Sequence, residues 1–429
     1  MVLISDLLLA ICLILLSNIK NKIIRFILVL ILFSSLAYDL INLEIFSPFD
    51  LRGFFIITTF AVSFMISIIL SVKDFEKSVS PLYIISFIFQ LFALLNHTVM
   101  LYSIVLEILS LITFGFLFIK IKSFDSFKIY FIVNIIYYLL FILNNTSFIS
   151  FAGFLALIAI CLRLAAVPFH WWQPKFVSIT NPIISSAIVC VGEVIDFYIL
   201  FFILQEVKST SFMTYQDLNH ILFFVAILSI IVGAIMAYLE RDLKRLLSYS
   251  TIDDTGYFLL ALALGNSLGL IAAIIILINH SVSKFGLFVI TDKIESIFST
   301  TNMSDLSGIA KRHPFLSITF LIFSLSLIGA PFLPGFSGKL LLYQAAFDKS
   351  LLLSIFLIAA SCLTLVYYIR AYHKIFWGSE ESMAINKISL VEKFITNISL
   401  TILCIAILFF GIYPNYLINF INSLIKVVH

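Results

Sequence analysis

Seven ionisable side chains stand inside runs of sequence that are otherwise apolar: Glu107, Arg163, Glu193, Asp196, His280, Lys284 and Lys339. Charge at membrane depth costs from about 2.5 kcal/mol upward, so such residues are rare there and mark a wet polar site. A pore or a carrier is the chemistry that such a set serves. Glu193 and Asp196 are three residues apart and share a helix face, as do His280 and Lys284, four apart. Glu107 is alone in IVLEILSLITF, where the plain alternative is a helix-end group at an interface. Arg163 has no comfortable plain reading: an unpaired guanidinium in hydrocarbon must find a carboxylate or water. We expect it to lie between Glu107 and Glu193 in one cluster.

Two of these charges accompany helix breaks. Between Cys161 and Glu193 the chain carries Arg163, breaks at Pro168, crosses a short Trp171–Lys175 turn and enters a second apolar run. The stretch SLIGAPFLPGFSGKLLLY places Pro331 and Pro334 before Lys339, and two prolines with three glycines exclude one regular helix. Broken spans are tolerated only where protein or water satisfies the freed backbone groups. Two such spans, about 170 residues apart, suggest two related halves, as in carriers built from repeats. We place them at approximately 81–205 and 219–375, within a single transmembrane domain covering 1–429. The segment Glu240–Tyr257 (ERDLKRLLSYSTIDDTGY) reads as a basic inner loop, made unusual by Asp253 and Asp254 at the start of the next span.

The elements that must position these residues follow from composition. Of 429 residues 62% are hydrophobic and 11% charged, with a mean hydropathy of +1.16. A soluble chain would carry about 25% charged residues. The fold class is therefore an all-α polytopic membrane protein. Apolar runs fall at roughly 3–17, 23–43, 53–72, 81–95, 98–119, 128–144, 150–168, 182–205, 219–239, 251–265, 267–291, 314–345, 351–372 and 395–418. These give about fourteen transmembrane helices, with the seventh and twelfth discontinuous. With the N-terminus outside, inner loops and their flanks hold 19 of the 26 basic residues and outer segments four, so both termini are expected outside. Residues 2–17 read as a true span, for want of a basic flank and a small-residue cleavage site. The five cysteines lie in apolar runs without CxxC spacing, so neither a metal site nor a disulfide framework is expected. No nucleotide, flavin or iron–sulfur motif is present, so no cofactor is expected, and the net charge of +3 resides in loops and implies no nucleic acid.

Five stretches together carry a resemblance: PFHWWQP after a charged span, DLKRLLSYSTIDDTGY, the His280/Lys284 pair, DLSGIAKRHPF and GAPFLPGFSGK. Over roughly residues 80–375 the chain resembles the antiporter-like membrane subunits of respiratory complex I, that is, subunits L, M and N of bacterial NADH:quinone oxidoreductase. Mrp-type cation/proton antiporters and membrane-bound hydrogenases share that superfamily. The resemblance implies a polar axis at mid-membrane along which protons hop by way of water, driven by a distant redox reaction or by exchange for sodium. Glu107, Lys284 and Lys339 match the family's charged positions. Arg163 stands where the family has a lysine, and Glu193 where it has another. Arginine does not release its proton, so Arg163 is expected to act as a fixed counter-charge, whereas Glu193 remains titratable.

The function implied is a proton-translocating subunit of a complex I-like redox-driven pump in an energy-coupling membrane, the bacterial inner membrane foremost. Its partners would be other membrane subunits, the lipid bilayer, and H+ or Na+. It has no catalytic site of its own. The alternatives are a subunit of an Mrp-type Na+/H+ antiporter, an energy-coupling subunit of another membrane assembly such as one driving a zinc hydratase, and a structural subunit whose channel is closed.

Overall fold

The computed structural model describes residues 21–42, 51–73, 79–95, 100–121, 123–144, 152–206, 215–378 and 389–428. The expected span at 3–17 lies outside them. Among the described residues the chain is helical throughout, and the one β-type pairing is an isolated bridge between Asp242 and Asn302. Among the described residues six helices are long and apolar enough to cross a membrane: Phe55–Val72, Pro182–Leu204, Gln216–Leu239, Ser267–Phe298, Leu351–Phe376 and Leu390–Ile412. Shorter apolar helices lie between them. This is the polytopic, membrane-type architecture expected from composition.

The chain forms two compact units. The first comprises Met1–Ile135, Ser389–Ser399 and Leu424–His429. It contains α1 (Lys22–Asn42), α2 (Leu51–Val72), α3 (Val79–Leu95), α4 (Met100–Lys120) and the start of α5 (Phe124–Asn144). Lipid tails are as apolar as these side chains, so helices associate through close packing and interhelical hydroxyl bonds. Phe33 accordingly meets Phe60 at 5.2 Å and Phe87 at 6.2 Å between ring centres. Ser86 and Ser110 share a hydrogen bond of 2.8 Å between α3 and α4.

The second unit, Ile136–Ile388 and Leu400–Ser423, holds the remaining charges of interest. Its first break follows α6 (Ala152–Arg163). The chain turns through Ala165 at φ 50°, passes a short 3-10 turn at Phe169–Trp171 and resumes as α7 (Trp172–Ile179). Freed backbone groups find side-chain partners, as the membrane requires. Trp172 Nε1 donates to the Leu162 carbonyl at 2.8 Å, and Val167 N–H donates to Ser229 Oγ at 2.9 Å. Asn181 then caps α8 (Pro182–Ser186), accepting from Ile183 N–H at 3.0 Å with proline at the first turn. A π-helical segment, Ala187–Gly192, leads into α9 (Glu193–Glu206). Its Cys190 carbonyl accepts from Ser281 Oγ at 2.6 Å.

α10 (Tyr215–Leu239) and α11 (Leu243–Ala263) pack backbone to backbone. A Cβ at Gly233 would lie 2.4 Å from Asp253 N, and one at Gly256 would lie 2.7 Å from Ile230 N. Only glycine permits this approach, and it fixes Asp253 against α10. The expected span began at 251, but α11 starts at Leu243, so Asp254 sits mid-helix. The polar stretch LKRLLSYST lowered the hydropathy of the first half and hid it. α12 (Ser267–Phe298) is 32 residues, about 48 Å at 1.5 Å per residue, longer than a bilayer core.

After the single turn α13 (Ile309–Arg312), α14 (Pro314–Ile328) ends at Gly329, φ 89°, and α15 (Pro334–Lys349) begins five residues later. A Cβ at Gly335 would lie 1.8 Å from the Ser326 carbonyl, so glycine is required where the two helices pass. α16 (Leu351–Phe376), α17 (Leu390–Ile412) and α18 (Pro414–Val428) complete the chain.

Candidate functional site: a buried acid–base chain

The second unit gathers Glu193, Asp254, His280 and Lys284 into one connected group, each at most 2% exposed. α9 supplies Glu193, α11 supplies Asp254, and α12 supplies His280 and Lys284 one turn apart. His280 stands between two carboxylates. Its Nδ1 is 3.1 Å from Asp254 Oδ2, and its Nε2 is in charge contact with Glu193 Oε2 at 3.1 Å, without the alignment of a hydrogen bond. Asp254 Oδ2 is shared with Lys284 Nζ at 3.3 Å. Lys284 also donates to the Leu247 carbonyl at 3.2 Å, to Tyr368 Oη at 3.2 Å and, closely, to Ser250 Oγ. At the other end, Gln173 Nε2 donates to Glu193 Oε1 at 3.0 Å.

Glutamate, histidine, aspartate and lysine can each hold or release a proton, and every neighbouring pair here lies within about one proton hop. Buried charges must be paired, and these satisfy one another in series. The geometry thus supports a relay from Glu193 through His280 and Asp254 to Lys284, with Gln173 holding the Glu193 carboxylate at its end.

Arg163 and Asp196 form a separate ion pair at 3.0 Å, with the guanidinium 4.4 Å from the centre of the Tyr137 ring. The expected arrangement placed Arg163 between Glu107 and Glu193. Asp196 pairs with it, and Glu193 turns to His280. Residues three apart on a helix differ by about 60° around its axis, enough for one to face α6 and the other α12. The Glu107 side chain lies outside the described residues, so its share in the cluster stays an expectation.

Lys339 lies beside the second break. Its Nζ donates to the Ile328 carbonyl at 3.2 Å, where α14 ends, and stands 4.3 Å from the centre of the Tyr257 ring. Pro331 lies within this second break and Pro334 opens α15, while Pro168 lies in the first break. Asp253 accepts from Thr364 Oγ1 at 3.0 Å and from Tyr367 Oη at 3.1 Å. Gln173, Ser250, Tyr367 and Tyr368 were not singled out from sequence. Gln173 was visible only as part of PFHWWQP, and the hydroxyls are neutral in hydropathy and leave no mark in a charge count.

A model of the family described as "NADH:quinone oxidoreductase/Mrp antiporter, TM" matches residues 50–364. The chain belongs to this family. It is 29% identical over 280 residues to NADH-quinone oxidoreductase subunit N 2 of Hydrogenobaculum sp., a match covering 65% of this chain and 59% of that protein. It is 32% identical over 210 residues to subunit N of Desulforudis audaxviator, covering 49% and 42%. The chain thus spans about six-tenths or less of the length of these curated relatives. Its fold is similar to that of a chain in an archaeal membrane-bound sulfane sulfur reductase, with a TM-score of 0.82 at 17% identity, covering 98% of this chain and 96% of that one. A chain of the Mrp complex from Dietzia sp. gives 0.77 at 18% identity, with 98% and 96% covered. A chain of Thermus thermophilus respiratory complex I gives 0.76 at 18% identity, with 98% and 99% covered.

Proposed function

We propose that this chain is a proton-translocating, antiporter-like membrane subunit of a complex I-like redox-driven ion pump. The observation that carries the reading is the buried series Glu193–His280–Asp254–Lys284, in which each member can hold a proton and lies 3.1–3.3 Å from the next. Membership of the family and similarity to subunit N relatives support it. In finer detail, the chain crosses a bacterial inner membrane fourteen times with both termini outside. Its two related halves lie near 81–205 and 219–375, each with one discontinuous span. Arg163, held by Asp196, is a fixed counter-charge in the first half, and Lys339 belongs to the path in the second. Electron transfer belongs to other subunits of the assembly. A second reading, exchange of H+ for Na+, is favoured by the fold similarity to a chain of an Mrp complex.

One preparation separates the two. The intact assembly, purified by a tag on this chain, is placed in lipid vesicles with a trapped pH dye, and NADH with a soluble quinone, or a sodium gradient, is supplied. The pump reading expects a change of interior pH on redox turnover at unchanged rate with sodium removed. Proton movement only on imposing a sodium gradient supports the exchange reading. No proton movement under either condition contradicts both.

A further inference from the structure

Among the polar features that the relay does not use, the inward face of α16 stands out. Ser361, Thr364, Tyr367 and Tyr368 recur at helical spacing and point inward, whereas Leu363, Leu365, Val366 and Ile369 between them are 41–46% exposed. A helix facing lipid and an apolar core gains nothing from four hydroxyls on its inner side. Here Thr364 and Tyr367 share Asp253, and Ser361 links Tyr257 to Tyr343. Tyr368 touches Lys284 at 3.2 Å, and Tyr367 and Thr364 both donate to Asp253, the neighbour of Asp254 on α11. Thr364 also lies beside the Tyr257 hydroxyl. Tyr257 Oη is 3.0 Å from Ser361 Oγ, and Ser361 Oγ is 2.5 Å from Tyr343 Oη. Tyr257 and Thr364 are buried, whereas Ser361 and Tyr343 are half-buried, so the series climbs from core toward surface. Tyr343 stands seven residues before the α15–α16 turn at Ser350, about 10 Å along the helix.

We infer that this hydroxyl series is the outlet of the relay, carrying protons from the Asp254–Lys284 centre by way of Asp253, Thr364, Tyr257, Ser361 and Tyr343 toward the α15–α16 turn. The inference rests on the proton-translocating reading above. Each hydroxyl accepts a proton from the inner neighbour as it gives its own to the outer one, then rotates back, so no net charge is stored along the series. Lys339, 4.3 Å above the Tyr257 ring, places a cation beside the middle of the route.

The test uses the same reconstituted assembly and the rate of interior pH change. Tyr257→Phe and Ser361→Ala remove one hydroxyl each with little change of shape, and each is expected to slow translocation at least tenfold. Ser361→Thr keeps a hydroxyl and should restore most of the rate. Tyr372→Phe, which removes an α16 hydroxyl bonded instead to Ser317 at 2.8 Å, should run at the wild-type rate. Should Ser361→Ala or Tyr257→Phe fail to assemble, the half-buried Tyr343→Phe decides by the same tenfold criterion. Wild-type rates in the hydroxyl variants while Lys284→Ala fails to translocate would overturn the outlet and leave the relay standing. Wild-type rates in Lys284→Ala as well would overturn both.

Discussion

Lys284→Ala is expected to reduce proton translocation by about a hundredfold or more, the loss that follows removal of a positioned acid–base group. The amine is completely buried, and its nitrogen meets Asp254, the Leu247 carbonyl, Ser250 and Tyr368. Alanine deletes the only member of the series that reaches both Asp254 and the α16 hydroxyls. A purely structural role would predict a different pattern, and Lys284→Arg separates the two. Arginine keeps the positive charge beside Asp254 but does not release its proton. Lys284→Arg should therefore assemble at wild-type yield and still fail to translocate. Recovery of translocation with arginine would make the lysine a counter-charge alone.

The second large effect is on stability. Asp196→Ala removes a carboxylate 3.0 Å from the Arg163 guanidinium, and both side chains are at most 10% exposed. Breaking a buried ion pair by deleting one partner costs about 3–5 kcal/mol, because the remaining charge keeps its desolvation cost and loses its attraction. The Tyr137 ring offers a cation–π contact, worth about 2 kcal/mol when desolvated, which offsets only part. The melting temperature of the purified assembly should fall with Asp196→Ala and stay near wild type with Arg163→Lys, which preserves the opposite charge. An unchanged melting temperature in Asp196→Ala would mean that Asp196 contributes nothing to holding Arg163.

Much of this was open to reading from the chain alone. The run lengths announced a helical membrane protein; α6 ends at Arg163 and α14 at Ile328, near the proline and glycine clusters. His280 and Lys284 were placed on one face by their spacing, and both reach Asp254. What stayed hidden had physical causes. Asp254 looked like a span-opening residue because hydropathy averages away a polar first half, and only backbone hydrogen bonding shows α11 starting at Leu243. The division of labour between Glu193 and Asp196 depends on their 60°-scale offset and on the π-helical segment just before Glu193, which no charge pattern displays. Hydroxyls such as Tyr368 and Ser361 matter through their partners, and partners are set by tertiary packing.

On the function proposed, Glu193, His280, Asp254 and Lys284 form one proton path in series. The translocation rates of Glu193→Gln, Lys284→Ala and the double variant, in vesicles holding the intact assembly, decide whether they do. Two faults in one serial path are limited by the slower step, so effects of residues acting as a unit do not add. The double variant should translocate at the rate of the slower single variant. A rate equal to the product of the two separate losses, or a Glu193→Gln variant as fast as wild type, would contradict the single path.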